Sequence, residues 1–133
     1  MIGSGTFYDP FENVASFSSI EKTKDAINTL EKQFSCGHGK SGYLLGLIFD
    51  PDNVVISSHV KQELGSSHNK AVKYYNEAYK ILLDAANNGD PESMYTIALY
   101  YQAGLPPVSL DNDLYELWKN KAINAGYQGV GQL

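Results

Sequence analysis

Three histidines, one cysteine and fifteen carboxylates are the side chains of this 133-residue chain best suited to hold a metal, and among those that could attack a carbonyl or move a proton. Cys36 and His38 flank Gly37, and His59 and His68 follow far along the chain, a spacing that matches no zinc pattern. A cysteine nucleophile needs a base held against it, and Cys36-Gly37-His38 reads instead as the end of a helix. Asp50-Pro51-Asp52-Asn53 begins like a calcium loop, but the turn glycine is missing and Lys61 stands where the closing Glu belongs. Gly3-Ser4-Gly5 follows no strand and precedes no lysine, so it is not a phosphate loop. Asp50, Asp52, Asp111, Asp113 and Glu116 fall in loops or at helix starts, where capping and solvation account for them. Should these carboxylates act in function, they steer a basic partner through an interaction that weakens with salt. The expectation is a chain without catalysis, metal or cofactor.

Charge narrows the partners. The net charge is −5, and all ten basic residues are lysine. A reader of nucleic acid needs a basic face and favours arginine forks, so DNA and RNA are not expected ligands. With Cys36 alone no intrachain disulfide forms, and a reducing compartment is the easier fit. The N-terminal residues have no basic region, the first lysine being Lys22, so they do not form a secretory signal. The longest apolar run, Tyr43 to Phe49, is far short of a membrane span. These features together predict a cytoplasmic protein.

The elements that must position any site are helical. Residues 1–18 carry glycine, proline and scattered aromatics without a period and read as an irregular arm, with Phe7, Tyr8 and Phe11 available to pack on the first helices. From Ser19, Ile20, Ala26, Ile27, Leu30 and Phe34 fall at three- and four-residue steps, with Ser18 or Ser19 as the cap and Glu21 and Glu31 facing water. This helix ends at Gly37. Lys40 to Phe49 is a short buried helix whose Gly42 and Gly46, four apart, let another helix come close. Asp50 and Pro51 stop it. Residues 50–69 read as an insertion, in which Val54-Val55-Ile56 is extended or Ser58 to Leu64 turns helical. Asn69 to Asn88 is an amphipathic helix with Ala71, Tyr75, Ala78, Tyr79, Leu82 and Ala86 on its apolar side. Asp90 and Pro91 start the next helix, which runs to Gln102 or Ala103. Asp111 or Asn112 caps the last one, which Gly126 ends, leaving 127–133 as a tail.

Gly37 and Gly89 each follow an amphipathic helix and open a segment of one design. Ser41, Tyr43, Leu45, Gly46 and Phe49 stand at the same offsets as Ser93, Tyr95, Ile97, Ala98 and Tyr101. Residues 37–88 and 89–126 are thus two helix-pair repeats, and 19–36 is the degenerate second helix of a leading one. The chain resembles the Sel-one-like repeat family, relatives of the tetratricopeptide repeats. Gly89, Ser93, Tyr95, Ile97, Ala98, Tyr101 and Gly104 follow the family's first-helix pattern, and Asp111, Trp118, Ala122-Ile123 and Gly126 its second. Ala98 replaces a glycine, Tyr115 a small residue, and Pro106-Pro107 departs from the usual loop. The resemblance implies an all-α fold, a short right-handed solenoid of stacked helix-turn-helix repeats. In that fold Tyr95, Tyr101 and Trp118 are core.

It also implies a binding scaffold whose first helices line the concave side. Lys40, Leu44 and Ile48 in one repeat and Glu92, Thr96 and Tyr100 in the next are the expected contacts, joined by Asp111, Asp113 and Glu116. The expected function is a protein-binding module, most specifically an immunity or inhibitor protein that neutralises a basic toxin domain. The alternative is a regulatory adaptor holding several host proteins. Gly126-Tyr127 resembles the start of another repeat, so an uncapped C-terminal end is a place for a second copy to pair.

Overall fold

Six helices make up a computed structural model that describes residues 17–53 and 58–129: α1 (Phe17–Ser35), α2 (Gly39–Phe49), α3 (Ser58–Leu64), α4 (His68–Asn87), α5 (Pro91–Ala103) and α6 (Asn112–Asn124). No strand occurs among the described residues, and the fold is all-α. The expected packing of Phe7, Tyr8 and Phe11, the extended alternative at Val54-Val55-Ile56 and the tail beyond Gly129 lie outside the described residues.

The sequence's punctuation sets the helix bounds. Asp90 accepts from the Ser93 N–H with Pro91 in the first turn, and Asp111 accepts from the Leu114 N–H at 3.0 Å, so both carboxylates are caps. Ser67 caps α4 through the Lys70 N–H. Helix α1 begins at Phe17, which puts Ser18 and Ser19 inside it and not at its cap. Gly37, Gly89 and Gly126 close three helices with φ of 93°, 99° and 106°. The hydrogen bonds repeat as well: Gly37 to Phe34 and His38 to Gln33, Gly89 to Ala86 and Asp90 to Ala85, Gly126 to Ile123 and Tyr127 to Ala122. A left-handed residue is needed at each point to swing the next N–H back onto the helix, and glycine takes it without a Cβ clash.

Each long helix packs on the next in chain order, α1 on α2, α2 on α4, α4 on α5 and α5 on α6, while α3 leans on α1 and α2. Gly42 and Gly46 permit the tightest approach. A Cβ on Gly46 would stand 2.4 Å from the Tyr75 ring, and one on Gly42 2.5 Å from Phe34 and 2.8 Å from Ala78. Helix α2 is therefore gripped between α1 and α4 by the absence of two side chains. Ala71, Tyr75, Ala78, Leu82 and Ala86 of α4 form the main core with Ile97 and Tyr100, and Ile27, Leu45 and Phe49 form a second cluster. On α1 the buried face is set by Thr23 and Ile27, and Ala26, expected inside, faces solvent.

The phase of α5 departs from expectation. Thr96 and Tyr100, read from the sequence as surface contacts, are 2% and 0% exposed, whereas Tyr95 and Tyr101 are half-buried. Tyr100 reaches between α4 and α2, where its hydroxyl donates to the Tyr75 carbonyl at 2.7 Å and its ring meets those of Tyr43, Tyr75 and Tyr79. The Thr96 hydroxyl turns back onto the Glu92 carbonyl. Almost every residue from Met94 to Tyr101 is apolar, so periodicity in this helix does not single out one face. Trp118, expected as core, is half-buried against Met94 and the end of α4, with the Lys121 ammonium 4.6 Å over its ring.

Candidate binding groove

A depression of about 720 Å³ runs between α1 and α4. Phe34 and Tyr74 floor it, their ring centroids 6.1 Å apart, and Tyr74 stacks on Phe49 behind. Helix α4 puts Asn69, Lys70 and Lys73 at one end of the groove and Glu77 one turn beyond, and α1 contributes Glu31 and Ser35. The Tyr74 hydroxyl donates to Glu31 Oε2 at 2.8 Å. Burial, then the hydrogen bond to Glu31 and the charges of Glu31 and Glu77, push the Tyr74 pKa up to about 12. Its proton therefore stays in place at neutral pH, and Glu31 is held. Lys70 lies 4.5 Å over the Phe49 ring. Lys73 and Asn69 have no polar side-chain partner among the described residues.

The contact residues expected from the sequence are placed apart from this groove. Lys40 and Glu92 are brought together at 3.3 Å, linking α2 to α5 at the rim of a smaller cleft of about 260 Å³. His38 lines that cleft, and Ser41, which donates to Gln33 at 2.9 Å, accepts from His38 Nδ1 at 2.6 Å. Leu44 and Ile48 are half-buried, Ile48 against the Ile27, Leu45 and Phe49 cluster. Asp111 is occupied as a cap, Glu116 pairs with Lys119 at 3.1 Å, and Asp113 is exposed in the first turn of α6. Leu110, Leu117 and Ile123 are the large apolar residues most exposed among those described, all in or just before α6.

The loop that begins like a calcium site carries an ammonium of its own. Lys61, 4% exposed, donates from α3 to the Leu47 and Ile48 carbonyls at 3.3 Å each and to the Asp50 carbonyl. These are the last acceptors of α2, at the negative end of its dipole. Desolvation lowers the Lys61 pKa, against the pull of Asp50 and Asp52. The Asp50 carboxylate accepts from the Asp52 N–H at 2.9 Å and from the buried Tyr75 hydroxyl at 2.8 Å. His68 places a ring nitrogen within 4.8 Å of both carboxylates. Lys61 thus forms a clasp between α2 and α3, while Asp50, Asp52 and His68 have the spacing of a group that could hold a metal ion.

The groove itself was not among the sites expected from the sequence, though one signal marks it. On α4 the core stripe is Ala71, Tyr75, Ala78 and Leu82, and Tyr74 is an aromatic out of phase with it. What the sequence does not show is that Phe34, from another helix, meets Tyr74 there. No family model, no curated protein and no solved structure matches the chain.

Proposed function

We propose that this protein is a non-catalytic protein-binding module. The single observation that carries the reading is the open, aromatic-floored groove between α1 and α4, rimmed by charged side chains of both signs. A depression of this size with an apolar floor and a few polar groups is the usual form of a binding site. The recurrent glycine turn and the chain-order packing support a short solenoid, with α2 and α4 as one helix pair, α5 and α6 as the next and α1 as the remnant of a leading one.

The most specific form of this reading is an immunity or inhibitor protein that holds a toxin domain, and the net charge of −5 favours a basic partner. Much of the acidic surplus is nevertheless engaged within the fold: Asp90 and Asp111 cap helices, Asp50 holds Tyr75, Glu31 holds Tyr74, and Glu92 and Glu116 pair with lysines. Affinity capture with the full chain at low and high salt tests the reading. The expected result is one stoichiometric partner, less retained at high salt, whose toxicity on expression is suppressed by this protein. Several weak partners would favour an adaptor, and no partner at either salt would sink the proposal.

A further inference from the structure

From the groove between α1 and α4 we infer the chemistry of its occupant: a peptide segment in which an aromatic or branched apolar residue stands beside a carboxylate. The inference rests on the binding-module reading and adds to it how the partner is gripped, whatever that partner's overall charge. The apolar half of the site is the Phe34 and Tyr74 pair, whose tilted rings, at 56°, leave an aromatic-lined floor backed by Phe49. The polar half is asymmetric. Asn69, Lys70 and Lys73 cluster at the first turns of α4, where the positive end of the helix dipole adds to two ammonium groups. Asn69 and Lys73, four residues apart on one face, have no other polar side-chain partner among the described residues.

Glu31, beside Tyr74, is already occupied by the Tyr74 hydroxyl, and Glu77, one turn beyond Tyr74 on α4, puts a negative charge at the end away from Asn69 and Lys70. A ligand carrying carboxylates along its whole length would be repelled there, so the groove favours a single carboxylate at the lysine end. Two lysines and an amide act as point donors, and in a peptide the anion they can meet is a carboxylate from the chain terminus or an Asp or Glu side chain. The volume of about 720 Å³ lies in the range that holds a ligand of a few residues.

Fluorescence-anisotropy titration of the 133-residue chain with labelled peptides provides the test. The probes are a short peptide ending in Phe-Glu, its C-terminal amide, its Gln counterpart and the amidated Gln peptide. The Phe-Glu peptide is expected to bind, and the amidated Gln peptide to bind about tenfold more weakly or worse, the loss of one charge-assisted contact. The two single changes show whether the terminal or the side-chain carboxylate is read. Lys73→Glu, an exposed substitution with its helicity checked by circular dichroism, is expected to reduce binding by about the same factor. Equal binding of all four peptides, or unchanged binding by Lys73→Glu, would overturn the inference. Phe11-Glu12 of this chain, with Asp9 close by, itself sets an aromatic beside a carboxylate; if the unsubstituted chain binds no peptide below about 1 mM while the Asp9→Asn/Glu12→Gln chain does, that segment is the occupant and the partner assignment fails. A captured partner that Lys73→Glu still retains in full would end the groove inference while leaving the binding-module reading standing.

Discussion

Tyr100 illustrates what a single side chain does in this core. Its ring meets three other tyrosines, and its hydroxyl has one acceptor, the Tyr75 carbonyl. Tyr100→Phe keeps the ring and removes the donor, so urea denaturation should show a loss of about 1 kcal/mol, typical of a buried neutral hydrogen bond. Tyr100→Ala should cost about 3 to 5 kcal/mol, since it opens a cavity that neighbouring rings cannot close. Trp118 is the contrasting case. Half-buried with a lysine over its face, it should lose only about 1 to 3 kcal/mol on change to alanine, less than the figure for full burial. A larger fall in melting temperature for Trp118→Ala than for Tyr100→Ala would contradict this ordering of the two sites.

Among the elements, α2 depends most on residues with little or no side chain. Gly46→Ala would raise intrinsic helix propensity by about 1 kcal/mol, yet its methyl would stand 2.4 Å from the Tyr75 ring. That ring is 2% exposed and held by its hydroxyl on Asp50, so it cannot yield cheaply. The steric term wins, and a net loss of about 1 to 3 kcal/mol is expected in chemical denaturation. A stabilised Gly46→Ala variant would refute the close packing of α2 on α4. The Lys61 clasp makes a different prediction. Lys61→Met keeps the aliphatic stem but leaves the Leu47, Ile48 and Asp50 carbonyls without the ammonium. Hydrogen exchange should then accelerate in α3 and at the end of α2, while α5 and α6 keep their protection.

At the scale of the whole molecule, the tyrosines impose an alkaline limit. Desolvation raises the pKa of Tyr75, Tyr79 and Tyr100 well above the ordinary 10.0, and that of Tyr74 to about 12. Because the folded values exceed the unfolded ones, the native state binds more protons above pH 10. The contribution of these groups is therefore complete below pH 10 and is lost as pH rises through the raised values. Alkaline titration should show exposed tyrosines ionising near their ordinary value, then a cooperative step in tyrosinate absorbance coincident with loss of helical circular dichroism. Tyrosinate formation completed near pH 10 with helicity intact would show that these rings are not buried.

Local chemistry determined much of this protein. Helix type and approximate bounds were legible because caps, prolines and closing glycines act within a few residues of themselves, as at Asp90, Pro91, Asp111 and the turns at Gly37, Gly89 and Gly126. The inward face of α4 was legible because its apolar residues keep one period, and the close approach at Gly42 and Gly46 because only glycine leaves that space. Tertiary structure alone decided which face of α5 is buried, since a helix apolar on nearly every side has no preferred direction until its neighbours are in place. That reversal put Thr96 and Tyr100 in the core. It alone also brought Phe34 and Tyr74, forty residues apart, into one groove and turned Lys61 onto the carbonyls of α2. Both are contacts between side chains distant in sequence, and no periodicity within a single helix encodes them.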